Sequence, residues 1–88
     1  MKILITGIEG FIGKNLAFYL KSRGHEIKGY EYKENVFPDL NSCNWVIHCG
    51  AVSNTTETNV ETVLKLNYEF TINLIKLCDL KGVNFQYA

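Results

Sequence analysis

Glycines at 7, 10 and 13 are spaced for one kind of chemistry, the cradling of a phosphate by bare backbone. They follow an apolar run, Ile3-Leu4-Ile5, that reads as a buried strand, and an amphipathic helical pattern begins directly after them. Strand, glycine turn and helix in that order describe a pyrophosphate site. Gly7 turns the chain out of the strand, Gly10 lets backbone approach a phosphate, and Gly13 lets the helix pack closely. The unpaired N–H groups of the first helical turn then face the anion. The second chemical group is a carboxylate. Glu31 stands at the end of the next predicted strand, 18 residues beyond Gly13, close to the spacing of an acidic side chain that accepts hydrogen bonds from the adenosine ribose. Such a carboxylate repels a 2′-phosphate and favours NAD, while Lys28 and Lys33 nearby keep NADP possible. The glycine spacing is G-x-x-G-x-x-G, so the pattern is informative only in its strand-to-helix context. A purely structural turn and a solvated strand-end glutamate are the competing readings.

These groups need elements to hold them. Hydrophobic periodicity predicts a strand over 2–6 and a helix over 11–22, with Ile12, Leu16, Tyr19 and Leu20 on one face and Gly24 past its end. A second strand covers 26–31. Residues 33–43 read as loop, because Pro38 discourages helix and Asp, Asn and Ser favour turns. Residues 45–49 form a third strand, apolar enough for cover on both faces. A polar stretch at 53–56 leads into a helix over 58–80, opened by a capping box of Thr58 and Glu61. Its apolar stripe is Val60, Val63, Leu64, Asn67, Thr71, Leu74, Ile75 and Cys78. Asn67 is a polar group in that stripe, and a buried amide needs partners. Gly82 ends the connection, and 83–87 form the last strand.

The order β-α-β-β-α-β with right-handed parallel connections is an α/β pattern. It predicts half of a dinucleotide-binding (Rossmann) fold, with a parallel sheet of order 3-2-1-4 and two main helices. The helix between strands two and three is missing, and eleven loop residues must close the gap while leaving one face thinly covered.

Composition narrows the function classes. The chain of 88 residues is expected to form one truncated domain without a substrate domain. Nine basic and nine acidic residues cancel, so neither nucleic acid nor a membrane surface is an expected partner. No apolar run approaches ~18 residues, and the glycines interrupt any signal-peptide pattern. Cys43, Cys49 and Cys78 are odd in number and lack C-x-x-C spacing, which reads as reduced thiols in the cytoplasm and no metal site.

The motifs bear a resemblance. Thr6-Gly7-x-x-Gly10-Phe11-Ile12-Gly13 resembles the opening of the extended short-chain dehydrogenase/reductases, the NAD-dependent sugar-nucleotide epimerases and dehydratases. Val46-Ile47-His48-Cys49-Gly50-Ala51 is similar to that family's V-I-H-x-A-A segment, with Gly50 in place of the first alanine. Phe85-Gln86-Tyr87-Ala88 resembles the start of its F-V-Y-A-S-S strand, and the run 50–57 looks most like the heptose-phosphate epimerase type. The resemblance implies that Gly7, Gly10, Phe11, Ile12 and Gly13 hold the pyrophosphate and that Glu31 takes the ribose. It implies that Asp39 and Leu40 touch adenine, although the shortened loop strains that alignment. Gly50, Ala51 and Ser53 would line the path to the nicotinamide half, and Asn67 matches a helix asparagine near the site. His48 matches a strand histidine that is more often structural than catalytic.

Family catalysis uses a serine or threonine with a tyrosine and lysine in Y-x-x-x-K, the lysine lowering the tyrosine's pKa so that it acts as general base. No tyrosine here has a lysine four residues on, so no catalytic residue is assigned. The expected function is therefore a nicotinamide dinucleotide-binding module, not catalytic alone. The alternatives are an interaction protein that kept the fold without the ligand, an excised piece of a full-length epimerase, and an enzyme whose site is assembled between subunits. Polar Asn84 and Gln86 on one face of the last strand favour a naturally short protein. That strand has no proline or charge to block edge pairing, which predicts a homodimer through 83–87.

Overall fold

A computed structural model describes residues 1–33, 36–50 and 59–88. The elements are β1 (Lys2–Thr6), α1 (Phe11–Ser22), β2 (Glu26–Tyr30), β3 (Trp45–His48), α2 (Val60–Lys81) and β4 (Asn84–Tyr87). The fold class is the expected α/β, with one four-stranded, wholly parallel sheet and two helices. None of the helices is long and apolar enough to cross a membrane, among the described residues.

The strand order is β2-β1-β3-β4, which corrects the expected 3-2-1-4. The third strand pairs with β1 on the side away from β2, with Leu4 opposite Val46 and Thr6 opposite His48. Side-chain character explains the choice. β2 (EIKGY) carries Glu26 and Lys28 and has no fully buried residue, which suits an edge. Val46 and His48 of β3 are 0 % and 3 % exposed and need the interior. β3 thus fills the slot that the fourth strand holds in the complete order, and among the described residues neither a strand nor a helix lies beyond β2.

The connection from β2 to β3 must therefore cross the sheet, and it does so as part of the core. Leu40 and Cys43 pack with Leu4, Val46, Phe70, Leu74, Cys78 and Val83. Phe70 of α2 is the hub, stacked on Tyr30 at 5.9 Å and met by Tyr32 and Phe37, each at 5.4 Å. On the opposite face, α1 sets Ala17, Leu16 and Leu20 against Ile3 and Ile5. Ile12 and Tyr19, expected on that face, are exposed, because the buried stripe runs through Gly13 and Ala17. α2 is likewise rotated from its expected stripe: Phe70, Leu74 and Cys78 are buried, while Val60, Leu64 and Ile75 are exposed. Its N-cap is Asn59, whose side chain accepts from Thr62 N at 3.2 Å, and not Thr58, which lies outside the described residues.

Asn44 fastens the N-terminal end of the sheet. Its side chain accepts from Lys2 N at 2.8 Å, its N–H donates to the Lys2 carbonyl, and its carbonyl accepts from Asn84 N. Leu40→Ala is expected to cost about 2–5 kcal/mol in urea denaturation, as for a buried leucine in a packed core. Asp39→Ala, at an exposed position, should leave the midpoint close to wild type.

Candidate functional site

The C-terminal ends of β1, β2 and β3 converge, carrying Gly7, Glu31 and Gly50. β1 leads into α1 on one face and β3 into α2 on the other, so a crevice opens between β1 and β3 at the switch point of the sheet. Gly7 takes φ +70°, and its N–H donates to the Tyr30 carbonyl at 2.8 Å. A Cβ on Gly7 would lie 2.4 Å from the Gly50 Cα, and one on Gly50 would lie 2.6 Å from the Gly7 Cα. A Cβ on Gly13 would stand 2.2 Å from the Gly7 carbonyl oxygen. These approaches are closed to any other residue without backbone movement.

Gly10 is the N-cap of α1 and offers no side-chain cap, and the first turn holds no acidic residue. The start of the helix is thus bare backbone with the positive end of its dipole toward the crevice. Phe11 and Ile12 of that first turn are 85 % and 60 % exposed. Glu31 reaches the same loop: its Oε1 accepts the Glu9 N–H at 2.6 Å. Gly7, Gly10, Phe11, Ile12, Gly13, Glu31 and Gly50 are therefore brought to one end of the sheet. Ala51 and Ser53 lie outside the described residues.

Asp39 and Leu40 do not join them. Leu40 is 3 % exposed in the core, and Asp39 bonds with Lys28, its Oδ2 lying 3.7 Å from Nζ. The Asn41 N–H holds the Asp39 carboxyl below its ordinary range, with Lys28, Lys81 and Lys2 adding to the effect, near the N-terminal end of the sheet. The cause is the loop's path. It must return to the start of β3 within fourteen residues, and that carries 39–40 away from the glycines. Lys28 is held by the same contact and does not approach Glu31.

Behind the crevice stands His48. Thr6 Oγ1 lies 2.5 Å from its Nδ1, Thr71 Oγ1 lies 3.0 Å from its Nε2, and Gly50 N is 3.5 Å from Thr6 Oγ1. Each threonine hydroxyl can donate to or accept from the ring nitrogen it faces, so the pair satisfies a neutral imidazole in either tautomer. Burial also pushes its pKa below 6.5. His48, Thr71 and Gly50 line a cleft of about 450 Å³ with Asn67, Tyr68 and Tyr87. Asn67 lines this cleft, and its Nδ2 donates to the Val63 carbonyl at 3.0 Å, so part of its amide is satisfied within α2. Sequence reasoning missed the threonine partners of His48; the signal was a threonine at the end of an otherwise apolar strand. Burial raises the Cys49 and Cys78 thiols above their ordinary value, away from reactive thiolate. Among the described residues no group of His, Cys, Asp and Glu is placed to hold a metal ion.

A parallel α/β unit with a glycine turn at its switch point and a carboxylate at the end of the second strand defines a dinucleotide-binding class. The family model of the NAD dependent epimerase/dehydratase family matches residues 3–88, and the chain belongs to that family. It is 30 % identical to an ADP-L-glycero-D-manno-heptose-6-epimerase of Brachyspira hyodysenteriae, over 98 % of this chain and 36 % of the relative. It is 27 % identical to the enzyme of the same name from Cupriavidus pinatubonensis, over 100 % and 34 %. The chain thus spans about a third of the length of these curated relatives, and they agree with the heptose-epimerase resemblance of the segment after β3. The Brachyspira alignment runs over 114 residues against 88 here, leaving at least 26 of its positions unmatched. The fold matches a short-chain dehydrogenase/reductase superfamily protein from Agrobacterium tumefaciens solved with bound NAD, at TM-score 0.77 and 19 % identity over 99 % of this chain and 32 % of that one. The capsular polysaccharide assembling protein CapF of Staphylococcus aureus matches at TM-score 0.50 and 22 % identity, over 99 % and 29 %.

The His48 network sets a pH dependence. The unfolded chain takes up a proton on this histidine below about pH 6.5, and the folded chain resists it. The contribution is therefore full above pH 6.5 and is lost as the pH falls through the lowered folded value. In urea titrations wild type should lose more stability between pH 7.5 and 5 than His48→Gln, which is itself less stable at pH 7.5 by about 1–3 kcal/mol.

Proposed function

We propose that this chain binds a nicotinamide dinucleotide across the β1–β3 crevice, as the cofactor-binding part of a sugar-nucleotide epimerase or dehydratase. The observation that carries the reading is the Glu31 carboxylate on the Glu9 N–H, which sets a ribose acceptor directly against the glycine loop. The pyrophosphate takes the backbone N–H groups at the start of α1, where close-packed glycines and an uncapped helix end coincide. Glu31 Oε2 takes a ribose hydroxyl, and its charge favours NAD over NADP. Gly50, Asn67 and the cleft beside Tyr87 receive the nicotinamide half. The dinucleotide, when bound, supplies the hydride acceptor. The general base is a different matter, since no tyrosine of these 88 residues has a lysine four positions on.

Calorimetric titration tests the reading. NAD and ADP-ribose should bind at or below millimolar concentration, and Glu31→Gln should weaken both about fivefold by removing a charge-assisted hydrogen bond. Nicotinamide mononucleotide should be indifferent to that change. Absence of binding by every one of these ligands at millimolar concentration rejects the proposal.

The same reading includes a homodimer through β4. Asn84 N donates to the Asn44 carbonyl and Ala88 N to the His48 carbonyl, so alternate N–H groups face β3. The N–H groups of Phe85 and Tyr87 therefore point to the outer edge, which pairs with no described strand. Tyr87→Pro removes one outward donor and spares the β3 ladder. In sedimentation at tens of micromolar the wild type should be a dimer and Tyr87→Pro a folded monomer; a monomeric wild type counts against the dimer.

A further inference from the structure

We propose that Glu9 is a second acidic determinant of cofactor choice, acting beside Glu31 to exclude a 2′-phosphate from the adenosine ribose; this rests on the dinucleotide-binding reading above. The glycine loop is not free to carry Glu9 elsewhere. Ile8 lies over β2 at Gly29, where an added Cβ would meet Ile8 Cδ1 and Cγ2 at 2.8 Å each. The missing side chain of Gly29 is therefore the seat of Ile8. One residue later the Glu9 N–H is held by Glu31 Oε1 at 2.6 Å, and the Gly10 N–H turns back to the Gly7 carbonyl at 3.0 Å. Three successive residues are thus fixed, and Glu9 Cα must sit within about 4 Å of a Glu31 oxygen, given an N–Cα bond of about 1.46 Å.

Glu9 itself is exposed, and it makes no salt bridge among the described residues. The neighbouring base that could offset it, Lys28, is occupied by Asp39. Lys33, two residues beyond Glu31, and Lys14, five beyond Glu9, are the remaining cations near the two carboxylates in sequence. A ribose hydroxyl bound by Glu31 therefore sits among two carboxylates. A 2′-phosphate placed there carries about −1.5 to −2 charges. At about 7 Å in water-like dielectric, Glu9 alone should disfavour it about fivefold. This repulsion falls on the phosphate that distinguishes NADP and spares the ribose hydroxyls of NAD, so the signature is a ratio of affinities.

The test is calorimetric titration of the whole chain with NAD and NADP, for wild type, Glu9→Gln and Glu26→Gln. Glu26 stands at the opposite end of β2, so its variant makes the same change in net charge far from the ribose. Glu9→Gln should raise the NADP-to-NAD affinity ratio about fivefold at low salt and less at 0.5 M salt, where screening shortens to a few ångströms. Glu26→Gln should leave the ratio unchanged. A ratio unmoved by Glu9→Gln, or moved equally by both variants, overturns the role of Glu9 while leaving NAD binding intact. Failure of wild type to bind either dinucleotide overturns the underlying reading itself.

Discussion

The backbone-on-backbone crossing of Gly7 and Gly50 is the constraint on which the rest of the molecule depends. A single methyl on either residue would stand 2.4–2.6 Å from the Cα of the other. Because neither carries one, β1 and β3 run side by side to their ends and part only there. That parting is the crevice. Gly13 extends the constraint by letting the first turn of α1 rest on the Gly7 carbonyl. The helix end is then aimed at the crevice by contact, without any side chain to hold it.

Packing behind the crevice is polar where it could have been apolar. His48, 3 % exposed, joins β1 through Thr6 and α2 through Thr71. Two threonines and an imidazole satisfy one another, which a buried polar group requires. The same threonine meets the Gly50 N–H, so the network registers the crevice against α2. An apolar residue at position 48 would fill the space and leave both hydroxyls without a ring partner.

The shortened crossover changes what covers the sheet. A complete unit would place a strand and helix beyond β2; here a fourteen-residue segment lays Leu40 and Cys43 over β1 and β3 and ends in Asn44. Phe70 collects Tyr30, Tyr32 and Phe37 around itself, so aromatic side chains supply the cover that a helix would give. The consequence reaches the site. Leu40 is spent on the core, away from Glu31 and the glycine loop that Glu31 holds.

Much of this was readable in the residues. The glycine spacing, the run before it and the helix after it announced β1, the turn and α1, because a strand-to-helix turn with no Cβ leaves a local mark. The place of Glu31 was legible too, as an acidic residue at the end of the second strand, a fixed distance beyond the glycines. The helix faces were only partly legible, since Val60, Leu64 and Ile75 of α2 have the right period and the wrong side. Hydrophobic periodicity gives the existence of a stripe, and the neighbours decide which of two overlapping stripes is buried; Phe70 settled it for α2. Strand order was beyond local pattern altogether. Only pairing across the sheet put β3 beside β1, because the charged β2 tolerates an edge and the buried Val46 and His48 do not. That decision carried the 31–44 segment across the sheet and moved Leu40 from the site to the core. It also brought Gly50 against Gly7, a contact between residues 43 positions apart that depends on the absence of two side chains and so leaves no trace in either residue's own surroundings.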